Sequence, residues 1–126
     1  MVATDLSVDH GARAFKMRGM QLGRPAFVEH FAIVIGVQCL KRWPKRQRFA
    51  PTWMSGCFYQ WMKISAGEID ASAERFAELI DPIIEELHKT TPKGQTPERA
   101  IVAGMIYDRL AASGVEVRIR PRDTPF

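Results

Sequence analysis

The sequence predicts a mainly α fold, an irregular bundle of four to five helices with one short C-terminal strand that pairs with the N-terminal segment or with a second subunit. Three observations carry this expectation. Apolar residues recur at three- and four-residue spacing through most of the chain, proline and glycine punctuate it at helix-length intervals, and clear two-residue alternation occurs only after Gly114. With 126 residues, 46% of them hydrophobic and 25% charged, the chain has the size and make-up of one folded unit. Residues 1–126 are expected to form a single compact domain, with 121–126 as an extended tail.

Met1 to Val8 alternates weakly, and His10 to Met20 forms a short helix carrying Arg13, Lys16 and Arg18. Gly23, Arg24 and Pro25 then mark a boundary; Pro25 suits the first turn of a helix, where its missing amide has no partner to lose. From Ala26 to about Arg42, Phe27, Val28, Phe31, Ala32, Val34, Ile35, Cys39 and Leu40 recur at helical spacing with almost no polar face between them. This predicts a central, buried helix, preferred to an interior strand because the flanking residues extend the pattern to helical length. Trp43, Pro44 and Lys45 break it and Pro51 opens the next helix, in which Trp53, Met54, Cys57, Phe58, Trp61 and Met62 share one face.

Gly67 lies in the following turn, after which Ile69, Ala73, Phe76, Ile80, Ile83 and Leu87 form a heptad-like seam. Asp81-Pro82 interrupts it, because proline removes a backbone donor. A kink is expected there, or a restart capped by Asp81, with the apolar phase kept. Thr96-Pro97-Glu98 opens the last helix with Thr96 as cap, and Ser113-Gly114 closes it with glycine in the left-handed region. Gly104 inside it marks a close helix crossing. Val115, Val117 and Ile119 then alternate with Glu116, Arg118 and Arg120 as a half-buried strand. Its expected partner is the segment around Leu6 and Val8, the same strand of a second copy, or an edge on a target.

The net charge of +4 is unevenly spread. From Arg13 to Arg48 there are nine basic residues and one acid, Glu29. Lys41, Arg42, Lys45, Arg46 and Arg48 are interleaved with Trp43, Phe49 and Trp53, a pattern that supplies phosphate contacts with aromatics for stacking on unpaired bases. Trp43 is the expected stacking or anchoring ring, and Arg13, Lys16, Arg18 and Arg24 are secondary bases. Opposed to these is a helix from Glu68 to Glu86 holding seven acids against Arg75 alone. Of its acids, Glu74, Glu78 and Glu85 form a face open to a basic protein surface. That charge also argues against a helix-turn-helix reading, since the acids would enter the phosphate field of a groove.

Catalytic signatures are missing. His10, His30 and His88 are scattered, Glu29 and His30 point about 100° apart on a helix, and there is no P-loop, dinucleotide-binding glycine pattern, HExxH, GxSxG or EF-hand loop. The sequence nominates no cofactor and no metal site. Cys39 and Cys57 fit neither a CxxC nor a Cys/His spacing and read as buried thiols, a reduced pair being preferred to a disulfide between them. No leader-like segment opens the chain and no apolar run approaches the roughly 20 residues of a membrane span, so a cytoplasmic location is expected.

The leading expectation is a small non-enzymatic accessory or regulatory protein engaging nucleic acid, or a nucleic-acid-bound machine, through the basic aromatic loop. The alternative is a protein-interaction module, either an adaptor or a stoichiometric inhibitor of the kind phages direct against host defence. A homodimer remains open to both.

Overall fold

Gly23 in extended backbone and a proline in the first turn start helix α1 (Arg24–Val34), near the boundary that Gly23-Arg24-Pro25 predicts. The computed structural model describes residues 20–43, 51–65 and 67–120. Among these, three further α-helices follow, α2 (Pro51–Ile64), α3 (Ala73–Thr90) and α4 (Arg99–Ala112), with three short strands, β1 (Met20–Gln21), β2 (Gly67–Ile69) and β3 (Val117–Ile119). The chain is mainly helical with a small antiparallel sheet. None of these helices is long and apolar enough to cross a membrane. Most of the expected His10–Met20 helix and the whole 121–126 tail lie outside the described residues, and Met20 itself belongs to β1.

The Ala26–Arg42 stretch is helical, but it is not one helix. After α1 the backbone widens into a π turn at Ile35–Cys39 and tightens into a 3₁₀ turn at Leu40–Arg42. The sequence shows why: Phe27, Phe31, Ile35 and Cys39 are fully buried at a strict four-residue spacing. That spacing drifts about 40° per step around an α-helix. The wider π turn, bonded from i to i+5, reverses that drift and brings Cys39 back toward the buried stripe. The expectation of burial all round is corrected, since Ile33 and Val37 are exposed on the opposite side.

Helix α2 turns Met54, Ser55, Phe58 and Met62 inward. The buried face is therefore rotated from the expected one: Trp53 is about half exposed, Cys57 and Trp61 are half-buried, and Ser55 is fully buried. Helix α3 begins only at Ala73, with Ser72 accepting from the Arg75 amide as its cap. Glu68 and Asp70 thus lie in and after β2 and not on the acidic helix, and Ile69 is a strand residue. The buried seam runs through Phe76, Leu79, Ile80, Ile84 and Leu87; Ala73 is exposed and Ile83 half-buried, so the apolar stripe is wider than a heptad seam.

Pro82 sits inside a continuous α3. Near the donor it deletes, the Leu79 carbonyl accepts from Arg109 Nε of α4 at 3.2 Å. Asp81 caps no restart. Its carboxylate reaches α2, accepting from Thr52 Oγ1 at 2.7 Å and from Ser55 Oγ. This accounts for the buried serine. Asp81→Ala strips the acceptor from a hydroxyl shut away from water and is expected to cost about 1–2 kcal/mol, with Asp81→Asn milder because an amide oxygen can still accept. Urea denaturation of the two variants beside the parent checks the order.

Helix α4 is capped by Glu98, whose side chain accepts from the Ile101 amide at 3.2 Å, two residues after the expected Thr96. Its end follows the sequence closely. Gly114 has φ +75°, its amide reaches the Ala111 carbonyl at 3.1 Å, and the Val115 amide reaches Leu110 at 2.9 Å. This is a Schellman ending that favours glycine. Gly104 makes room for a side chain of α1, the helix packed against α4: a Cβ there would collide with the Arg24 guanidinium.

The reversal after α4 feeds β3 into the centre of the sheet, in the order β1-β3-β2. Met20 and Gln21 pair with Ile119 and Arg118; Gly67, Glu68 and Ile69 pair with Ile119, Arg118 and Val117, both antiparallel. Both edges of β3 are thus paired within the chain, by β1 and β2; Leu6 and Val8, which mark the expected N-terminal partner segment, lie outside the described residues. Val117 faces a contiguous core that takes residues from every described helix, from Leu22 to Val117.

Candidate nucleic-acid interface

Lys41 and Arg42 occupy the 3₁₀ turn that ends the first helical run. A turn of three residues stacks positions i and i+3 on one side. Leu40 and Trp43, both buried, take the inner side, and the Trp43 amide closes the turn on the Leu40 carbonyl at 2.9 Å. Lys41 and Arg42 are left facing solvent.

Trp43 does not present its ring to a partner as the sequence led one to expect. It is 4% exposed, part of the core, and its ring centroid lies 6.1 Å from that of His88 on α3. Among the described residues the exposed aromatic is Trp53, at 49%, in the first turn of α2 and on the far side of the basic segment in sequence. Lys45, Arg46, Arg48 and Phe49 lie outside the described residues, as do Arg13, Lys16 and Arg18.

Among the described residues, one basic residue joins Lys41 from elsewhere in the chain. Arg99, the first residue of α4, lies across Gly36, where a Cβ would come within 2.8 Å of Arg99 Cδ. Lys41 and Arg99 line an open cleft of about 480 Å³ together with Val37, Leu40, Pro97 and Glu98. No local signal marks Arg99, because its approach depends on the missing side chain at Gly36.

Arg24 behaves differently. Its guanidinium grips Asp108 through Nε at 2.8 Å and Nη2 at 3.3 Å, and this hydrogen bond and charge raise its pKa further above the usual arginine value. Arg24 opens α1 whereas Lys41 follows its far end, which places roughly 20 Å of helix between them. It is not gathered with the other bases. A separate pair forms where α2 meets β3: Arg120 Nη2 donates to the Lys63 carbonyl at 2.9 Å, and Lys63 Nζ sits 5.3 Å from the centre of the Tyr59 ring.

Glu74, Glu78 and Glu85 are exposed on α3. At about 100° per residue they fall within about 40° of one another, opposite the buried Phe76–Ile80–Leu87 seam. Arg75 pairs with Glu78 at 3.5 Å across the exposed surface, an interaction of small energetic weight. Asp81 lies at the edge of this stripe, with its carboxylate engaged by Thr52 and Ser55 in the α2 contact described above.

The histidines among the described residues have structural surroundings. His30 Nε2 donates to the Ser65 carbonyl at 2.9 Å and its ring meets Phe31 edge-on, while His88 lies beside Trp43. Among the described residues no cluster of three or more histidine, cysteine or acidic side chains is placed to hold a metal ion. No protein-family model, curated protein or solved structure matches the chain.

Proposed function

We propose that this chain is a small accessory or regulatory protein, folded as a single helical-bundle domain and acting in the cytoplasm, that holds nucleic acid or a nucleic-acid-bound assembly against the segment from Lys41 to Arg48. The observation that carries the reading is the 3₁₀ turn itself. Leu40 and Trp43 anchor it to the core, and Lys41 and Arg42 point outward from a fixed base. Charges presented in this way make phosphate contacts without first having to be ordered. Arg99 adds a cation beside Lys41, and the half-exposed Trp53 replaces Trp43 as the ring available for base stacking.

The acids of α3 disfavour that helix as the seat of a polyanion, since a stripe of three carboxylates repels phosphate. The stripe also favours a second reading, in which Glu74, Glu78 and Glu85 dock a basic protein surface and the chain serves as an adaptor or stoichiometric inhibitor.

Binding of labelled single- and double-stranded DNA and RNA by the full chain, compared with a variant neutral at Lys41, Arg42, Lys45, Arg46 and Arg48, tests the first reading. Trp53→Ala is the companion variant. A ring that stacks on bases is expected to contribute about 1–3 kcal/mol to single-strand affinity and little to duplex affinity. A protein partner retained after nuclease treatment, and lost on neutralising Glu74, Glu78 and Glu85, supports the second reading instead.

A further inference from the structure

We infer that Cys39 and Cys57 form a redox-active dithiol, which hydrogen peroxide oxidises to an intrachain disulfide that closes the basic segment into a covalent loop. Both thiols are free, and their Sγ atoms lie 3.1 Å apart. A disulfide bond of about 2.05 Å lies within a movement of roughly 1 Å from that position. Two independent elements hold the sulfurs there. Cys39 ends the π turn, a backbone feature that recurs at functional sites, and Cys57 sits in mid α2 with the Gln38 carbonyl as a second acceptor at 3.7 Å.

The two sulfurs are not equivalent. Cys57 is half-buried, whereas Cys39 is fully buried. Burial, followed by the hydrogen bond and charge of Cys57, pushes the Cys39 thiol well above the usual range, with Arg42 pulling weakly the other way. Cys57 therefore reacts first and Cys39 resolves the product.

In the first step the Cys57 thiolate attacks one peroxide oxygen. The O–O bond breaks, hydroxide leaves and is protonated to water, and Cys57 becomes a sulfenic acid. In the second step the Cys39 sulfur attacks Cys57 Sγ, the S–O bond breaks, and the departing hydroxide takes the Cys39 proton as water. Two thiols and one peroxide become one disulfide and two waters, with two electrons passing from sulfur to oxygen. The ring so closed contains Lys41, Arg42, Lys45, Arg46, Arg48 and Trp53. None of this depends on what the basic segment binds.

The test is peroxide treatment of the reduced full chain, followed by denaturing alkylation and intact-mass analysis. The expected product is a monomer lighter by two hydrogens, with neither cysteine alkylated, restored by dithiothreitol and formed faster as pH rises. Its thermal midpoint is expected to lie about 10 °C above that of the reduced chain, because the cross-link constrains the unfolded state. Cys39→Ser is expected to accumulate a Cys57 sulfenic acid trapped by dimedone, and Cys57→Ser to keep an unreacted Cys39. The inference is overturned if the wild-type chain keeps two alkylatable thiols, if Cys57 passes to sulfinic acid beside a free Cys39, or if the only disulfide joins two chains. The wild-type readout decides the matter even where a serine variant folds poorly.

Discussion

Phe31→Ala is expected to destabilise the protein by about 3–5 kcal/mol, a large part of the roughly 5–15 kcal/mol that holds a domain of ordinary size together. The ring is fully buried. It packs against Phe27 with centroids 5.0 Å apart, receives His30 edge-on at 4.7 Å, and lies directly under Gly67 of β2. Truncation loses the transfer energy of a whole aromatic side chain and leaves a space between α1 and β2 that both must move to fill. Denaturant unfolding measures the loss. A cost under about 1 kcal/mol would mean that α1 and β2 are not joined through this ring.

Gly67→Ala is the complementary overpacking experiment, with an expected cost of about 2–3 kcal/mol. A Cβ at this position would lie 2.8 Å from the Met62 carbonyl oxygen and 3.0 Å from Phe31 Cζ. The first of these neighbours is backbone and has little freedom to yield. Phe31→Ala removes the clash with the ring but not the clash with Met62, so the double variant is expected to be less unstable than the sum of the singles, yet still less stable than Phe31→Ala alone. Equal and additive costs would contradict the packing described.

These two residues also show what the sequence made legible. Phe31 was readable as core from its four-residue spacing with Phe27 and Ile35, and the helices at Arg24, Pro51 and Arg99 begin near where proline and capping residues place them. Gly67, by contrast, reads as an ordinary turn glycine. Its role comes from the close approach of a ring and a carbonyl contributed by other elements, which no local pattern records.

The candidate site divides in the same way. Charge placement was visible, so Lys41, Arg42 and the stripe of Glu74, Glu78 and Glu85 are exposed where composition put them. The direction of each tryptophan was not, because one 3₁₀ turn decides that Trp43 goes inward, and the rotation of α2 toward Ser55 leaves Trp53 outside. That rotation follows from a hydroxyl–carboxylate contact between Ser55 and Asp81, two polar residues that a hydrophobic pattern passes over. Arg99 was hidden for a different reason: it lies across Gly36, where a side chain would collide with it.

The central claim, that the Lys41–Arg48 segment is an electrostatic docking site for nucleic acid, is tested most directly by the salt dependence of binding to a labelled single strand. The parent chain is expected to bind at low salt, with log affinity falling linearly against log salt. Neutralising Lys41, Arg42, Lys45, Arg46 and Arg48 together is expected to flatten that slope by up to about 3.5, at roughly 0.7 for each phosphate contact removed. No binding at low salt, or an unchanged slope in a folded neutral variant, would contradict the account.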